Sequence, residues 1–258
     1  VVREVLLLAL GFVGYRQIRY LTRNDTREAI DNAARVIDVE RAWHLFHEPW
    51  VQAQALRSET VVSALNHYYV GVHFPLTAVF VAWVLVRHPE WYRSIRNWML
   101  GVTGAALLIH VAYPLAPPRM VRGEGFVDTL RVYGPNIYPQ DTTQSVANQF
   151  AAMPSLHFGW SVIVAIGFVV IVRRRWSWVA LAHPVITLLA IVATANHYWL
   201  DAIVAGVLVA IGGVGVAVQR RGRRENAQVI EVAQPGHAGH ARRHLAASVN
   251  RHPSADRC

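Results

Sequence analysis

WLDAIVAGVLVAIGGVGVAV, residues 199–218, holds a single ionisable side chain, Asp201, in twenty positions. A helix of that length rises 1.5 Å per residue and spans about 30 Å, the hydrocarbon thickness of a bilayer. Outward from this stretch, further apolar runs lie at 2–21, 61–86, 98–115, 156–172 and 178–195. The fold class expected is therefore all-α, a polytopic membrane helical bundle of about six transmembrane helices. Bulk composition agrees, because 53% hydrophobic and 16% charged residues lean away from a soluble domain. The first run, VVREVLLLALGFVGY, is followed by arginines and not by a small-residue cleavage site, so it reads as a membrane helix and not as a signal peptide. Between the first two runs, residues 24–57 carry Ile30, Ala33, Val36 or Ile37, and Trp43 at helical intervals among charges. That pattern predicts an amphipathic helix on the membrane surface, and a solvated helix fits the same spacing.

All 25 basic residues are arginine and the net charge is +9. The arginines cluster between apolar runs and near the end, not along one amphipathic face with interleaved aromatics, which argues against a nucleic-acid partner. Arg87, Arg93 and Arg96 flank the second-to-third connection, Arg173, Arg174 and Arg175 fill the fourth-to-fifth, and Arg220, Arg221, Arg223 and Arg224 follow the sixth run. Alternating spans put these three groups on one side, cytoplasmic by the positive-inside rule. Arg16, Arg19 and Arg23 disagree, but three agreeing connections outweigh one. Both chain ends are then expected inside and the 116–153 loop outside, with the protein in the cell membrane. Residues 1–218 form the membrane domain, and 219–258 read as a basic, disordered cytoplasmic tail. The tail histidines His237, His240, His244 and His252 are irregularly spaced, as composition alone would give. Cys258 is the single cysteine, so neither a disulfide framework nor a cysteine metal site is expected.

This topology brings YPLAPPRM (113–120), MPSLHFGW (153–160) and NHYWLDAIVAG (196–206) to one outer face. His197 and Asp201 are four apart at a helix start and share a face, so the carboxylate can accept the imidazole N–H and fix its tautomer. A nucleophilic or basic histidine needs that arrangement, and an ionisable pair inside a span is functional by default, although an inter-helix polar contact has the same spacing. Pro154 suits a first helical turn, and the backbone N–H groups around Ser155 form an anion-binding helix end. His157 in that turn is placed to protonate a leaving oxygen. Arg119, stiffened by two preceding prolines, can hold two phosphate oxygens; a headgroup-snorkelling arginine is the plainer reading. Arg122 is a second phosphate-binding candidate. Asn66, Tyr69, His73 and Thr77 make a polar stripe in the second run, lining a headgroup pocket or bonding neighbouring helices. His110 reads as a satisfied core histidine, and Ala202, Ala205 and Gly206 as close helix packing.

PSLHFGW followed about forty residues later by HYWLD, each opening an apolar helix, resembles the type-2 phosphatidic acid phosphatase superfamily. The resemblance runs over the second to sixth spans. Its Pro-Ser-x-His motif falls on Pro154, Ser155 and His157, and the His-x3-Asp half of its Ser-Arg-x5-His-x3-Asp motif falls on His197 and Asp201. It implies His197 as nucleophile and His157 as acid. The departures are as telling. Ala112 stands where a Lys-x6-Arg-Pro motif ending at Arg119 would have its lysine, Met120 replaces the proline, and Ala190 and Ile191 replace Ser-Arg. With two phosphate-binding cations missing, the chain is more similar to the branch of the aureobasidin-sensitive inositol phosphorylceramide synthases, which share a His-Tyr-x-x-Asp motif and a histidine in a polar second span. That branch transfers phosphate-containing headgroups between lipids.

The expected activity is thus a lipid-phosphate phosphotransferase or phosphatase working through a phosphohistidine. Its substrate is a phospholipid or polyprenyl phosphate, and headgroup transfer, such as of phosphoinositol, to a hydroxyl acceptor is included. No metal or cofactor is expected, because Arg119 and the helix dipole would neutralise the developing charge. The alternative is a lipid-binding or transport protein that kept the scaffold and lost the reaction. Haem or metal binding through His73, His110, His157 and His197 is disfavoured, since no carboxylate partner stands behind each histidine.

Overall fold

The computed structural model describes residues 26–135 and 150–233. The first apolar run and the tail histidines lie outside the described residues. By contact the chain divides into two compact units, Val1–Gly213 and Val214–Cys258. The described elements are helices: α1 (Thr26–Ala42), α2 (Glu48–Ala55), α3 (Glu59–Arg87), α4 (Pro89–Ala112), α5 (Thr129–Tyr133), α6 (Leu156–Val172), α7 (Arg175–Ala193) and α8 (Trp199–Ala233). α3, α4, α7 and the Trp199–Arg223 part of α8 are long and apolar enough to cross a membrane, while α6 is apolar but shorter. All five coincide with runs read from the sequence.

These helices are built for an apolar solvent. Val86 and Leu108 are 75% and 70% exposed, whereas the polar Asn66, His73 and Thr77 of α3 are buried. Water would penalise that exposure; a bilayer does not, and it forces polar side chains inward. Small residues allow close approach. Gly159 of α6 faces Val209 and Ala205 of α8, and Gly206 faces Phe158.

Three differences from the sequence reading have physical causes. The apolar stripe of α1 is real, but Ala29, Ala33, Val36 and Ile37 pack into a core with Leu115, Ala116, Ala152, Met153 and Tyr198. The protein covers the stripe, leaving Ile30 and Trp43 exposed. Second, α3 contains a π-helical turn, Tyr68–Val72, in which the His73 N–H reaches the Tyr68 carbonyl. The wider turn breaks the plain 3.6-residue register of the polar stripe, and such turns are frequent at functional sites. Third, the last helix runs past residue 218 to Ala233. Arginine, glutamate, alanine and glutamine there are good helix formers, and extending a helix costs far less than nucleating one.

Pieces distant in sequence are tied together at one end of the bundle. Leu115 and Ala151 form an isolated parallel bridge, with the Leu115 N–H donating to Phe150 and the Ala152 N–H to Leu115. Ala116 donates to the Ala29 carbonyl, which seats the same strand-like segment on α1. Farther along the spans, Trp98 packs on Gly212 and Gly213 and its indole N–H donates to Val209 O at 2.9 Å.

A methyl group added at Gly212 would lie 2.7 Å from Trp98 Cδ1. The tethered indole cannot swing aside without losing its hydrogen bond, so Gly212→Ala should cost about 1–3 kcal/mol of stability. Gly104→Ala, which meets nothing within 4 Å, should cost nothing. Thermal unfolding of the purified variants in detergent checks both, and equal effects would contradict the packing described.

Candidate active site

His197 lies in the short turn between α7 and α8. The N–H groups of Asn196 and His197 both donate to the Ile191 carbonyl, and Ala195 holds φ +53. That left-handed conformation is strained for a residue with a Cβ and persists where surrounding contacts enforce it. Enforcement here comes from Arg119, whose backbone N–H donates to Ala195 O at 2.9 Å.

His197 is 5% exposed and Asp201 fully buried. Nδ1 of His197 is 3.1 Å from Asp201 Oδ2 and 2.8 Å from the Ala152 carbonyl. Both neighbours are acceptors, so Nδ1 carries the proton and Nε2 keeps its lone pair. Asp201 has a second task. As the third residue of α8 its Oδ2 also accepts the N–H of Tyr198, the residue that caps the helix, which is half of a capping box. The next two N–H groups of α8 go to carboxylates from the surface helices. Trp199 N–H donates to Glu48 Oε1 at 3.1 Å and Leu200 N–H to Glu40 Oε1 at 2.7 Å. Glu40 and Glu48 are fully buried. Burial first, then the neighbouring Glu48, pushes the Glu40 carboxyl up to about 9.

His157 is the second residue of α6, and its ring centroid is 6.1 Å from that of His197. Ser155 is the N-cap, its hydroxyl accepting the Phe158 N–H. Pro154 therefore stands one residue before the cap, not in the first turn. Ser155 is buried and its N–H donates to the Asp201 carbonyl, so the two helix starts are joined directly. Behind His157, Tyr69 stacks on its ring at 4.4 Å between centroids and His73 lies at 4.9 Å. His73 in turn stacks 5.7 Å from His183, which receives the Tyr68 hydroxyl. His183 and Tyr68 were not singled out by the sequence; the signal available was a lone polar pair in otherwise apolar runs.

The Arg119 side chain is 4% exposed and donates through Nη1 to Asn196 Oδ1 at 2.6 Å, next to His197, with Asp128 3.9 Å from its Nε. Arg122 is exposed. It lines a separate cavity with Ile30, Ile37, Arg41, Met120 and Glu124. Asn66 spends its amide on the segment around α5, donating to Thr129 O and Gly134 O and accepting from the Thr129 hydroxyl. Of the nine candidate residues, the structure therefore links His197, Asp201, His157, Ser155, Tyr69, His73 and Arg119 through these contacts, and sets Arg122 and Asn66 apart. His110 is buried and bonds the Pro154 carbonyl, as a satisfied core histidine.

Residues 34–216 match the family model of the PAP2 superfamily, which covers most of the chain and all of these side chains. No curated protein and no solved structure matches the chain.

The two acceptors at Nδ1 fix an expected spectrum. Nitrogen-15 shifts of His197 should report the Nδ1–H tautomer, and Asp201→Ala should move them toward a mixture by removing one acceptor. A wild-type Nε2–H signature would contradict the geometry.

Proposed function

Because the chain belongs to the PAP2 superfamily, a group of membrane lipid-phosphate phosphatases and phosphotransferases, we propose that it cleaves or transfers a lipid phosphate ester through a phosphohistidine at His197. One observation carries the reading: His197 Nδ1 is committed to Asp201 and Ala152, which leaves Nε2 as a nucleophile, with the His157 ring 6.1 Å away.

In this reaction Nε2 attacks phosphorus opposite the leaving alkoxide. The P–O bond to the lipid breaks as the N–P bond forms, and His157 gives its proton to the departing oxygen. The ring of His197 becomes cationic, and buried Asp201 stabilises that charge without taking the proton. Arg119 and the N–H groups at the start of α6 face the non-bridging oxygens, where negative charge develops. Water, or a hydroxyl of a second lipid or polyol, then attacks the phosphohistidine while His157, now neutral, accepts its proton. Atoms and charges return to their starting state. His73 and Tyr69, packed behind His157, orient its ring and border the headgroup. The absence of lysine and of a cation at Ala190 and Ile191 supports headgroup transfer alongside hydrolysis, as in the inositol phosphorylceramide synthase-like branch. With the arginine-rich connections in the cytoplasm, the site opens on the extracytoplasmic face of the cell membrane.

His197→Ala should abolish turnover, and His157→Ala should lower it by roughly 10²–10⁴-fold, both with unchanged melting temperature. Purified protein given labelled lipid phosphates, with and without hydroxyl acceptors, tests these variants and separates transfer from release of free phosphate. Near-wild-type turnover in either variant refutes the roles assigned.

A further inference from the structure

Glu40 and Glu48 lie outside the reaction just described, yet each is fully buried and accepts a backbone N–H from the first turn of the helix that begins beside His197. Tyr198 caps that turn, and its hydroxyl donates to Ala116 O; a tyrosine has no short oxygen with which to accept the N–H groups of the first turn. Two carboxyls from α1 and α2 supply those acceptors, and the positive end of the helix dipole favours them there. Their outer oxygens tell more. Glu40 Oε2 and Glu48 Oε2 are buried and receive no donor from the rest of the described protein. No arginine among the described residues pairs with either. The two carboxyls cap adjacent N–H groups and so stand side by side, and two facing acceptor oxygens in a buried site are satisfied only when one of them carries a proton. Two adjacent carboxylates in a buried site could not both ionise at acceptable cost.

We propose that Glu40 and Glu48 are positioning residues, a carboxyl–carboxylate pair sharing one proton that holds the first turn of α8 and thereby aims His197 and Asp201. The proposal rests on the phosphohistidine reading for the consequence in turnover, but not for the pair itself. The elevated Glu40 value agrees with a proton held at neutral pH. Titratable groups beside the pair are Asp201 and Tyr198 on α8; Glu124, paired with Arg41, acts on Tyr198. Asp201 is acidic, and a nearby carboxylate adds to the cost of a second negative charge on the pair.

The sign of the pH effect follows. The native state keeps the Glu40 proton up to about 9, whereas the unfolded chain releases it near 4.5. Between those values the native state binds more protons, so this contribution to stability is complete at low pH and is lost as pH rises toward 9. Glu40→Gln keeps an oxygen for the Leu200 N–H and an N–H for Glu48, and should remove the pH dependence.

The experiment uses the full chain in detergent. Wild type should show in infrared spectra at neutral pH the C=O stretch of an un-ionised buried carboxylic acid, and Glu40→Gln should lose it. Melting temperature should decline as pH rises from about 4.5 toward 9 in wild type and flatten in Glu40→Gln. Turnover should survive within about 3-fold in Glu40→Gln but fall at least about 10-fold in kcat, with KM little changed, in Glu40→Ala. If the band persists in both Glu40→Gln and Glu48→Gln, or if the glutamine variant loses kcat as fully as the alanine variant, the proposal is wrong. Should the infrared and melting results hold while no variant or wild type turns over lipid phosphate, the pair stands and the phosphohistidine reading falls.

Discussion

Three successive backbone N–H groups, those of Tyr198, Trp199 and Leu200, are taken by the buried carboxylates of Asp201, Glu48 and Glu40. The site depends on this cap more than on any other contact. A helix begins with donors that have no partner inside it, and here α8 begins beside His197, the proposed nucleophile. Each carboxylate comes from a different element, so the cap fastens the surface helices α1 and α2 to the start of a spanning helix. Asp201 serves both the helix and the histidine, which makes the tautomer of His197 a consequence of how α8 starts.

Around that turn the other parts are placed by backbone contacts that do not depend on side-chain identity. The Leu115–Ala151 bridge brings the segment before Arg119 against the segment before α6. The Ser155 N–H on the Asp201 carbonyl joins the start of α6 to α8, and the Arg119 N–H on Ala195 O joins the Pro118–Met120 segment to the strained turn. His157, Arg119 and His197 therefore converge from three stretches of chain, and each arrives on a rigid helix end or a proline-stiffened approach. Side chains held this way lose little freedom when a substrate binds.

The bundle was largely legible in the sequence, because long apolar runs have few physical outcomes other than spanning helices. The His-x3-Asp spacing was legible for the same kind of reason: four residues is one helical turn, so the pair had to meet. Glu40 and Glu48 were not read, since glutamates in a charged helix ordinarily face water. A signal was nonetheless present. Ala29, Ala33 and Val36 step by helical intervals, and Glu40 falls on the next position of the same buried stripe. The π-helical turn in α3 left no such trace, being a choice of hydrogen-bond register that packing decides. Arg122 stood second to the proline-stiffened Arg119 in the sequence. What separates them is that Arg119 is anchored to Asn196 and Ala195, contacts between residues far apart in the chain.

The covalent intermediate at His197 is the centre of this account, and trapping it is the most direct test. The full chain, mixed with phosphorus-32-labelled lipid phosphate and quenched within one turnover, should yield a labelled peptide containing His197. The linkage should be labile to acid and stable to base, as a phosphoramidate is, and absent from His197→Ala. Turnover that proceeds with no label on His197, or with the label on another residue, would contradict it.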